Sequence, residues 1–188
     1  FSKQSKFLGR GEGRSYGDVC LNNNGTLVRT NKLKKILHFD KNNGFIECEA
    51  GITIRELLEF LIPKGWFLPV VPGTSFVTIG GAIANDIHGK NHHKLGSFGN
   101  FVESINLLTS NKGLITCSSK NNEEKYTATI GGLGLTGLII SAKIKLIKIE
   151  NDLIDSNSIK FYSLDEFFEL NSKLEISNDY TVSWIDIN

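Results

Sequence analysis

Glycine is concentrated in three short clusters, and this pattern constrains the fold more than any other feature of the chain. The largest cluster lies in residues 72–100, PGTSFVTIGGAIANDIHGKNHHKLGSFGN, and the others are GRGEGRSYGD at 9–18 and GGLGLTG at 131–137. Glycine weakens a helix or strand by about 0.5–1 kcal/mol relative to alanine. Because glycine leaves the backbone N–H groups bare, the three clusters predict a main-chain surface that binds one long anionic or planar ligand.

Composition and charge exclude several classes of protein. The chain has 188 residues, of which 40% are hydrophobic, so it can form the core of one domain and part of a second. Its formal net charge is +1 and no basic face is evident, which argues against nucleic-acid binding. The longest apolar stretch, residues 133–149, is interrupted by polar residues and does not match a membrane span. We expect no transmembrane segment, and a protein of the cytoplasm or the membrane surface.

The three cysteines do not form a recognisable site. Cys20, Cys48 and Cys117 lack both the spacing of zinc ligands and a Cys-x-x-Cys redox pair. We therefore expect three reduced thiols, as in a reducing compartment.

The ends of the chain predict that it is part of a longer protein. It begins at Phe1, contains no methionine, and ends inside YTVSWIDI, a segment typical of a strand. Loop-like residues follow Glu150. We expect one domain over residues 1–150 and the start of a second over residues 151–188.

Hydrophobic periodicity predicts an α+β fold with helices packed on mixed sheets. Alternation and β-forming residues predict strands at 27–29, 36–39, 45–50, 101–109, 114–118 and 138–149, with a hairpin turn at 111–113. Helical spacing predicts helices at 53–61, 78–85 and 164–174. Thr53 followed by Glu56 is the pattern of a capping box at the start of the first helix.

Three motif matches fail on their context. Residues 132–137 fit the dinucleotide pattern GxGxxG, but that motif must follow a strand and open a helix, and here it precedes a predicted strand. Residues 89–90 resemble the end of a phosphate-binding P-loop, but Asn91 stands where Ser or Thr is needed. His88 and His92 are four residues apart, but an intervening glycine disfavours a helix and no third ligand is evident, so we expect no metal site.

The first two clusters have the composition of anion-binding loops. Residues 11–17 can form a nest of inward-facing N–H groups. Ser15 adds a hydroxyl donor, and Arg14 adds a planar cation suited to phosphate or carboxylate. Residues 78–81 add hydroxyl and amide donors at a predicted helix start, where the helix dipole favours an anion. A single glycine-rich loop would be explained as well by a plain turn, but three clusters indicate a nucleotide-like cofactor.

Together these segments resemble the flavin-binding half of the vanillyl-alcohol-oxidase type of FAD-linked oxidase. The matching segments are GRGEGRSYGD, PGT followed by VTIGGAIANDIHGKNHHKLGSFGNFV, and TIGGLGLTGLI, within residues 9–150. The resemblance implies FAD as cofactor and a PCMH-like α+β domain with two small mixed or antiparallel sheets and packed helices. Residues after 150 would begin a substrate domain whose remainder is missing from this sequence.

The resemblance also implies which residues hold FAD. The loop around the pyrophosphate would consist of Gly9, Arg10, Gly11, Glu12, Gly13, Arg14, Ser15, Tyr16, Gly17 and Asp18. Backbone contacts to the ADP and ribityl parts would come from Gly73, Thr78, Ile79, Gly80 and Gly81. The flavin would be lined by Asn85, Asp86, Ile87 and His88, with Ser97 close behind and Ile139 against the adenine half.

Arg14 distinguishes this chain from many members of that family. Those members attach the flavin covalently through a histidine in a Gly-x-Gly-His-Ser loop, and Arg14 takes the place of that histidine here. Because a guanidinium stays protonated and is no nucleophile at neutral pH, we expect FAD to be held non-covalently.

The implied activity is FAD-dependent oxidation of a secondary alcohol on a sugar-like substrate. His88, Gly89 and Lys90 would form the substrate-side wall of the flavin. His88 is either the general base or only part of that wall, and Lys90 either binds developing alkoxide or phosphate charge or is a solvated surface lysine.

The resemblance implies a particular lipid-linked sugar as substrate. This is decaprenylphosphoryl-ribose, whose 2'-hydroxyl would become a ketone, with a separate reductase completing the epimerisation for cell-wall polysaccharide synthesis. Fold alone does not determine the substrate. An alditol or aldonolactone oxidase of the same superfamily, and a cofactor-free binding module on this fold, are the alternatives.

Overall fold

Residues 6–186 are described by the structure, a computed structural model of the chain. The strands in this range are β1 (Phe7–Arg10), β2 (Thr26–Arg29), β3 (Ile36–Asp40), β4 (Phe45–Glu49), β5 (Trp66–Phe67), β6 (Val102–Thr109), β7 (Gly113–Cys117), β8 (Leu138–Lys145) and β9 (Ile147–Lys148). The α-helices are α1 (Ile54–Leu61), α2 (Ile79–Ala84), α3 (His92–Leu95), α4 (Glu123–Thr129) and α5 (Leu164–Ser177). Short 3₁₀ helices lie at Ile62–Lys64 and Phe98–Phe101.

The main sheet has five strands in the order β3-β4-β8-β6-β7, and every neighbouring pair is antiparallel. β1 and β2 form a separate parallel pair, and β5 and β9 form a short antiparallel pair. The expected α+β fold of small sheets with packed helices is confirmed. The described residues form three sheets, whereas the resemblance implied two.

One cluster of buried side chains joins the main sheet to α1 and α2. Ile46 on β4 and Ile144 on β8 are fully buried, and they belong to the same cluster as Leu57 on α1 and Ile83 on α2. Burying an aliphatic side chain of this size contributes roughly 1.5–3 kcal/mol. This cluster therefore holds α2 firmly against the sheet.

Helix α1 begins with the capping box that the sequence predicts. The Glu56 N–H donates to the Thr53 hydroxyl at 3.2 Å, and the Glu56 carboxylate accepts the Thr53 N–H at 2.9 Å. Lys34 also donates to Glu56, at 2.6 Å. Burial acting alone would raise the pKa of Glu56, but the hydrogen bonds from Lys34 and Thr53 outweigh it, and the net shift of the pKa is downward.

Helix α2 lies unusually close to the chain that follows β4. The Gly80 N–H donates to the Ala50 carbonyl at 2.8 Å, and a Cβ on Gly80 would lie 3.0 Å from the Ala50 Cβ. A glycine at this position allows the helix backbone to pack directly on Ala50. This packing sets the position of the residues at both ends of α2.

The strand predicted at residues 138–149 is divided into β8 and β9. Between them the Leu146 N–H donates to the Gly44 carbonyl at 2.7 Å, and β9 then pairs with β5 and not with β4. The division follows from pairing with distant strands, and the alternation of apolar and polar residues in the sequence does not reveal it.

The strand predicted at the end of the chain is absent from the described residues. Residues 178–186 pair with no strand, and a strand needs a neighbour to satisfy its backbone donors and acceptors. Residue 187, the last of that predicted strand, lies outside the described residues. β1, β5, α3 and α4 were not predicted, and each has seven residues or fewer. The domain boundary near Glu150 stays a prediction.

Candidate cofactor-binding site

The three glycine clusters meet at one cleft of about 1010 Å³. Helix α2 brings them together. The first cluster contacts the cap of α2, because a Cβ on Gly11 would lie 2.3 Å from the Thr78 hydroxyl oxygen. The third cluster contacts the other end of α2, where the Gly131 N–H donates to the Ile83 carbonyl at 3.0 Å. Contacts between distant segments thus produce the continuous surface that the clusters predicted.

The loop at residues 11–17 has two features that an anion-binding nest requires, namely glycines with positive φ and amides without an acceptor among the described residues. Gly13 and Gly17 have φ values of 63° and 59°, a left-handed conformation that glycine adopts without strain. The backbone N–H groups of residues 12–17 donate to no acceptor within residues 6–186. Free amides arranged in this way bind phosphate or carboxylate oxygens.

Arg14 adds a positive charge to this loop. Its guanidinium carbon lies 5.4 Å from the centroid of the Phe76 ring, and that of Arg55 lies 5.8 Å from the same ring. Arg55 is paired with Glu59 at 3.1 Å, but no described carboxylate lies within 4 Å of the Arg14 guanidinium. Arg14 therefore presents an unpaired cation at the cleft, stacked on Phe76.

Three of the backbone amides at the start of α2 already donate to acceptors in the protein. The Ile79, Gly80 and Gly81 N–H groups donate to the Ile52 carbonyl, the Ala50 carbonyl and the Thr78 hydroxyl, at 2.9, 2.8 and 3.2 Å. Packing on the sheet and capping therefore already use these three amides, and anion binding at the start of α2 stays a prediction. Gly81 still borders the cleft, where its missing side chain leaves space.

The segment after α2 forms one wall of the cleft. Asp86 has a φ of 41°, and its carboxylate accepts the Gly99 N–H at 2.8 Å, which ties the end of α2 to the second 3₁₀ helix. Further on, His88 forms an antiparallel bridge with Ser97. These contacts place the exposed side chains of His88 and Lys90 at the cleft.

The histidines of this wall do not assemble a metal site. The rings of His88 and His92 meet edge to face with centroids 5.5 Å apart. Within residues 6–186, no three side chains of His, Cys, Asp or Glu come together as ligands for one metal ion.

Most residues that the resemblance selected border the cleft. Those lining it are Gly9, Arg10, Gly11, Glu12, Gly13, Arg14, Ser15, Tyr16, Gly73, Thr78, Gly80, Gly81, Asn85, Asp86, Ile87, His88, Lys90 and Ile139. Four others do not line it, namely Gly17, Asp18, Ile79 and Ser97. Asp18 accepts the Leu21 N–H in a turn, Ile79 is fully buried in the core, and Ser97 supports His88 from behind.

Other residues that line the cleft were not named among the expected FAD contacts. They are Val19, Cys20, Thr30, Ala50, Pro72, Thr74, Val77, Ala84, Gly89, His92, His93, Gly134, Gly137, Leu138, Glu175 and Thr181. The two glycines of the third cluster were expected at the ligand as part of that cluster, and Gly89 as part of the substrate-side wall. Glu175 and Thr181 come from the far end of the sequence, where no local pattern could connect them to the cleft.

A family comparison identifies the domain. Residues 2–118 match the model of the FAD binding domain, which is more than half of the chain. This chain belongs to the family of FAD-linked oxidases. FAD is the cofactor of this domain.

Curated relatives with this domain include several named enzymes. Over 181 residues the chain is 38% identical to decaprenylphosphoryl-beta-D-ribose oxidase of Mycolicibacterium smegmatis, a match of 95% of the chain and 39% of that protein. It is 33% identical over 139 residues to L-gulonolactone oxidase of Scyliorhinus torazame, covering 73% of the chain and 31% of the relative. It is also 26% identical over 115 residues to Delta(24)-sterol reductase of Homo sapiens, and this match covers 61% of the chain and 22% of the relative. The chain thus spans less than two fifths of the length of each of these relatives.

The cleft of this FAD-binding domain fits the chemistry of its cofactor. Its volume of about 1010 Å³ lies at the upper end of the range for ligand pockets, as a dinucleotide requires. The free amides of residues 12–17 and the unpaired Arg14 match the negative charge of a pyrophosphate. Ile139 and Val77 provide apolar surface for flat rings. None of the described helices is both long and apolar enough to cross a membrane.

Proposed function

We propose that this chain is the FAD-binding part of an oxidoreductase that oxidises a secondary alcohol of a sugar-like substrate. One observation carries the proposal: the exposed His88 and Lys90 side chains border the same cleft as the free amides of residues 12–17. An ionisable pair therefore adjoins the cofactor site, where a reacting substrate would be bound. FAD, when bound, supplies the acceptor for the hydride of the alcohol carbon.

The residues of the chain would handle the proton and the charge of the substrate. The imidazole of His88 is accessible from the cleft, and imidazole can take a hydroxyl proton near neutral pH. Lys90 lies two residues further along and can stabilise an alkoxide or bind a phosphate group. If His88 only shapes the pocket, the general base comes from outside this chain. The variants described below separate the role of base from the role of pocket residue.

We propose decaprenylphosphoryl-ribose as the substrate, with oxidation of its 2'-hydroxyl to a ketone and a separate reductase completing the epimerisation. The support is the 38% identity, over 95% of the chain, to a decaprenylphosphoryl-beta-D-ribose oxidase. An aldonolactone or alditol oxidase is the second candidate, because a relative named L-gulonolactone oxidase is 33% identical over 73% of the chain. The match to an FAD-binding family argues against a cofactor-free binding module.

The test uses the full-length protein. Its visible spectrum should show flavin, and anaerobic bleaching should occur with a phospho-ribose lipid but not with alditols or aldonolactones. Bleaching by an aldonolactone alone would favour the second candidate, and a colourless protein that binds no added FAD would refute the proposal.

Variants then test the two side chains in stopped-flow reduction. If His88 is the base, His88→Ala should slow bleaching by roughly 10²–10⁴-fold with FAD still bound. A smaller effect, mostly on substrate affinity, would show that His88 shapes the pocket and is not the base. Lys90→Ala should weaken binding most for the phosphorylated substrate. His38→Ala and Lys120→Ala are matched controls, because both side chains are exposed and lie outside the cleft. Parental rates and affinities for both test variants would remove this segment from the active site.

A further inference from the structure

The chain that follows α5 returns to the cleft. We call residues 178–181 the strap. The Thr181 N–H donates to the Lys90 carbonyl at 3.1 Å. Lys94 pairs with Asp179 at 3.4 Å, and the His93 Nε2 lies 3.4 Å from the Asn178 carbonyl, which can only accept a hydrogen bond. Three contacts thus join the strap to the segment that begins at Lys90.

The segment under the strap has little local structure of its own. Helix α3 is a single turn, and its N-cap residue Asn91 makes no side-chain capping bond. On its inner side the segment is anchored by Asn91, whose side-chain amide donates to the Pro69 carbonyl at 2.8 Å. On its outer side the described contacts come from the strap. The backbone of Lys90 is therefore held on one side through the neighbouring Asn91 and on the other by the hydrogen bond from Thr181.

The strap also reaches the cleft itself. Thr181 lines the cleft, and so does Glu175 near the end of α5. Glu175 accepts a hydrogen bond from the Asn171 amide one turn earlier, at 2.9 Å, which fixes its carboxylate on the helix. Residues far apart in sequence therefore border the same space as Lys90.

We propose that the strap positions Lys90 at the cleft, with Thr181 as the positioning residue through its backbone N–H. The wall that faces the substrate is then assembled jointly by the FAD-binding domain and the chain beyond Glu150. The role given to Lys90 rests on the proposed function, but the positioning of its backbone does not.

Thr181→Pro is the decisive variant, because proline has no N–H to donate to the Lys90 carbonyl. Thr181→Ala is its matched control, because it removes the hydroxyl and the γ-methyl group and keeps the backbone N–H. In the full-length protein with FAD bound, hydrogen–deuterium exchange should rise in the peptide covering residues 89–95 for Thr181→Pro only. We expect an increase on the order of fivefold, the equilibrium equivalent of one neutral hydrogen bond. FAD affinity should equal that of the parent in both variants.

A second pair of variants covers the case in which the proline variant fails to fold. Asp179→Asn removes the charge that pairs with Lys94, and Glu169→Gln removes the exposed pair with Lys173 within α5 as a control. Faster exchange in residues 89–95 is expected for Asp179→Asn alone. If the proline variant folds, equal exchange in the proline and alanine variants would overturn the proposal. If it does not fold, equal exchange in the two charge variants would overturn it.

The substrate readout separates this proposal from the proposed function. With a substrate that bleaches the parent, Thr181→Pro should raise KM for the phosphorylated sugar, while Glu169→Gln, which changes an exposed pair outside the cleft, should leave KM unchanged. If no sugar bleaches the parent, the proposed function fails and the exchange measurement still decides the role of the strap. Faster exchange with an unchanged KM would overturn the positioning of Lys90 for substrate.

Discussion

Replacing Gly11 with alanine would place a methyl group on the side chain that caps α2. The new Cβ would lie 2.3 Å from the Thr78 Oγ1 and 2.9 Å from its Cγ2, and both distances are shorter than the 3.4 Å at which ordinary contact begins. Thr78 is buried, with 2% of its surface exposed, and its hydroxyl accepts the Gly81 N–H at 3.2 Å. The threonine therefore has little room to move.

Two responses are open to the protein, and each has an estimated cost. If Thr78 turns away, α2 loses its N-cap, which is worth about 0.5–2 kcal/mol of stability. If the loop at residues 11–17 moves outward, overpacking is relieved but the free amides leave the cofactor, and strain of this kind costs about 1–3 kcal/mol. We expect the loop to move, because it is exposed and Thr78 is not. If binding of FAD requires the loop to return to its strained position, the same free energy weakens FAD binding by about 5- to 150-fold.

The assay is titration of the apoprotein with FAD, followed by quenching of flavin fluorescence, with thermal unfolding measured in parallel. Lys120→Ala is the control, because Lys120 is exposed and lies outside the cleft. We expect Lys120→Ala to bind FAD as the parent does. Parental affinity in Gly11→Ala would show that the contact between the first glycine cluster and α2 does not exist as described.

Three further predictions follow from single features of the structure. Gly81→Val should abolish FAD binding with a modest loss of stability, because the valine side chain would enter the cleft. Gly80→Val should mainly lower the melting temperature, because a Cβ there meets Ala50. Full FAD occupancy in purified Gly81→Val would contradict the first of these outcomes. Because Arg14 cannot form the covalent link, acid precipitation should leave the yellow colour in the supernatant, and flavin on the pellet would disprove non-covalent binding. Burial raises the pKa of the Cys48 thiol to about 12, whereas the pKa of the unfolded thiol is near 9. The free energy of unfolding should therefore keep its full value below pH 9 and fall as the pH rises towards 12. Urea titrations of the parent and of Cys48→Ala should differ in this slope, and equal slopes would refute it.

Residue patterns alone were enough to predict several local elements and the class of ligand. The capping box at Thr53, the hairpin between β6 and β7, and helix α2 between Thr78 and Asn85 all follow from residue patterns a few positions long. The glycine clusters indicated a main-chain binding surface because a missing Cβ has a direct local consequence. Context also excluded a Rossmann fold, since the GxGxxG pattern precedes β8.

Which of these groups are available to a ligand depends on contacts that form in the folded chain. The amides of Ile79 and Gly80 resemble free donors in the sequence, but the carbonyls of Ile52 and Ala50, some thirty residues earlier, accept them. The amides of residues 12–17 look no different in the sequence, yet they find no acceptor within the described chain. Likewise nothing near Thr181 predicts its bond to Lys90. Residue type specifies which groups can donate or accept, but whether a partner already occupies them depends on contacts between segments that are distant in sequence.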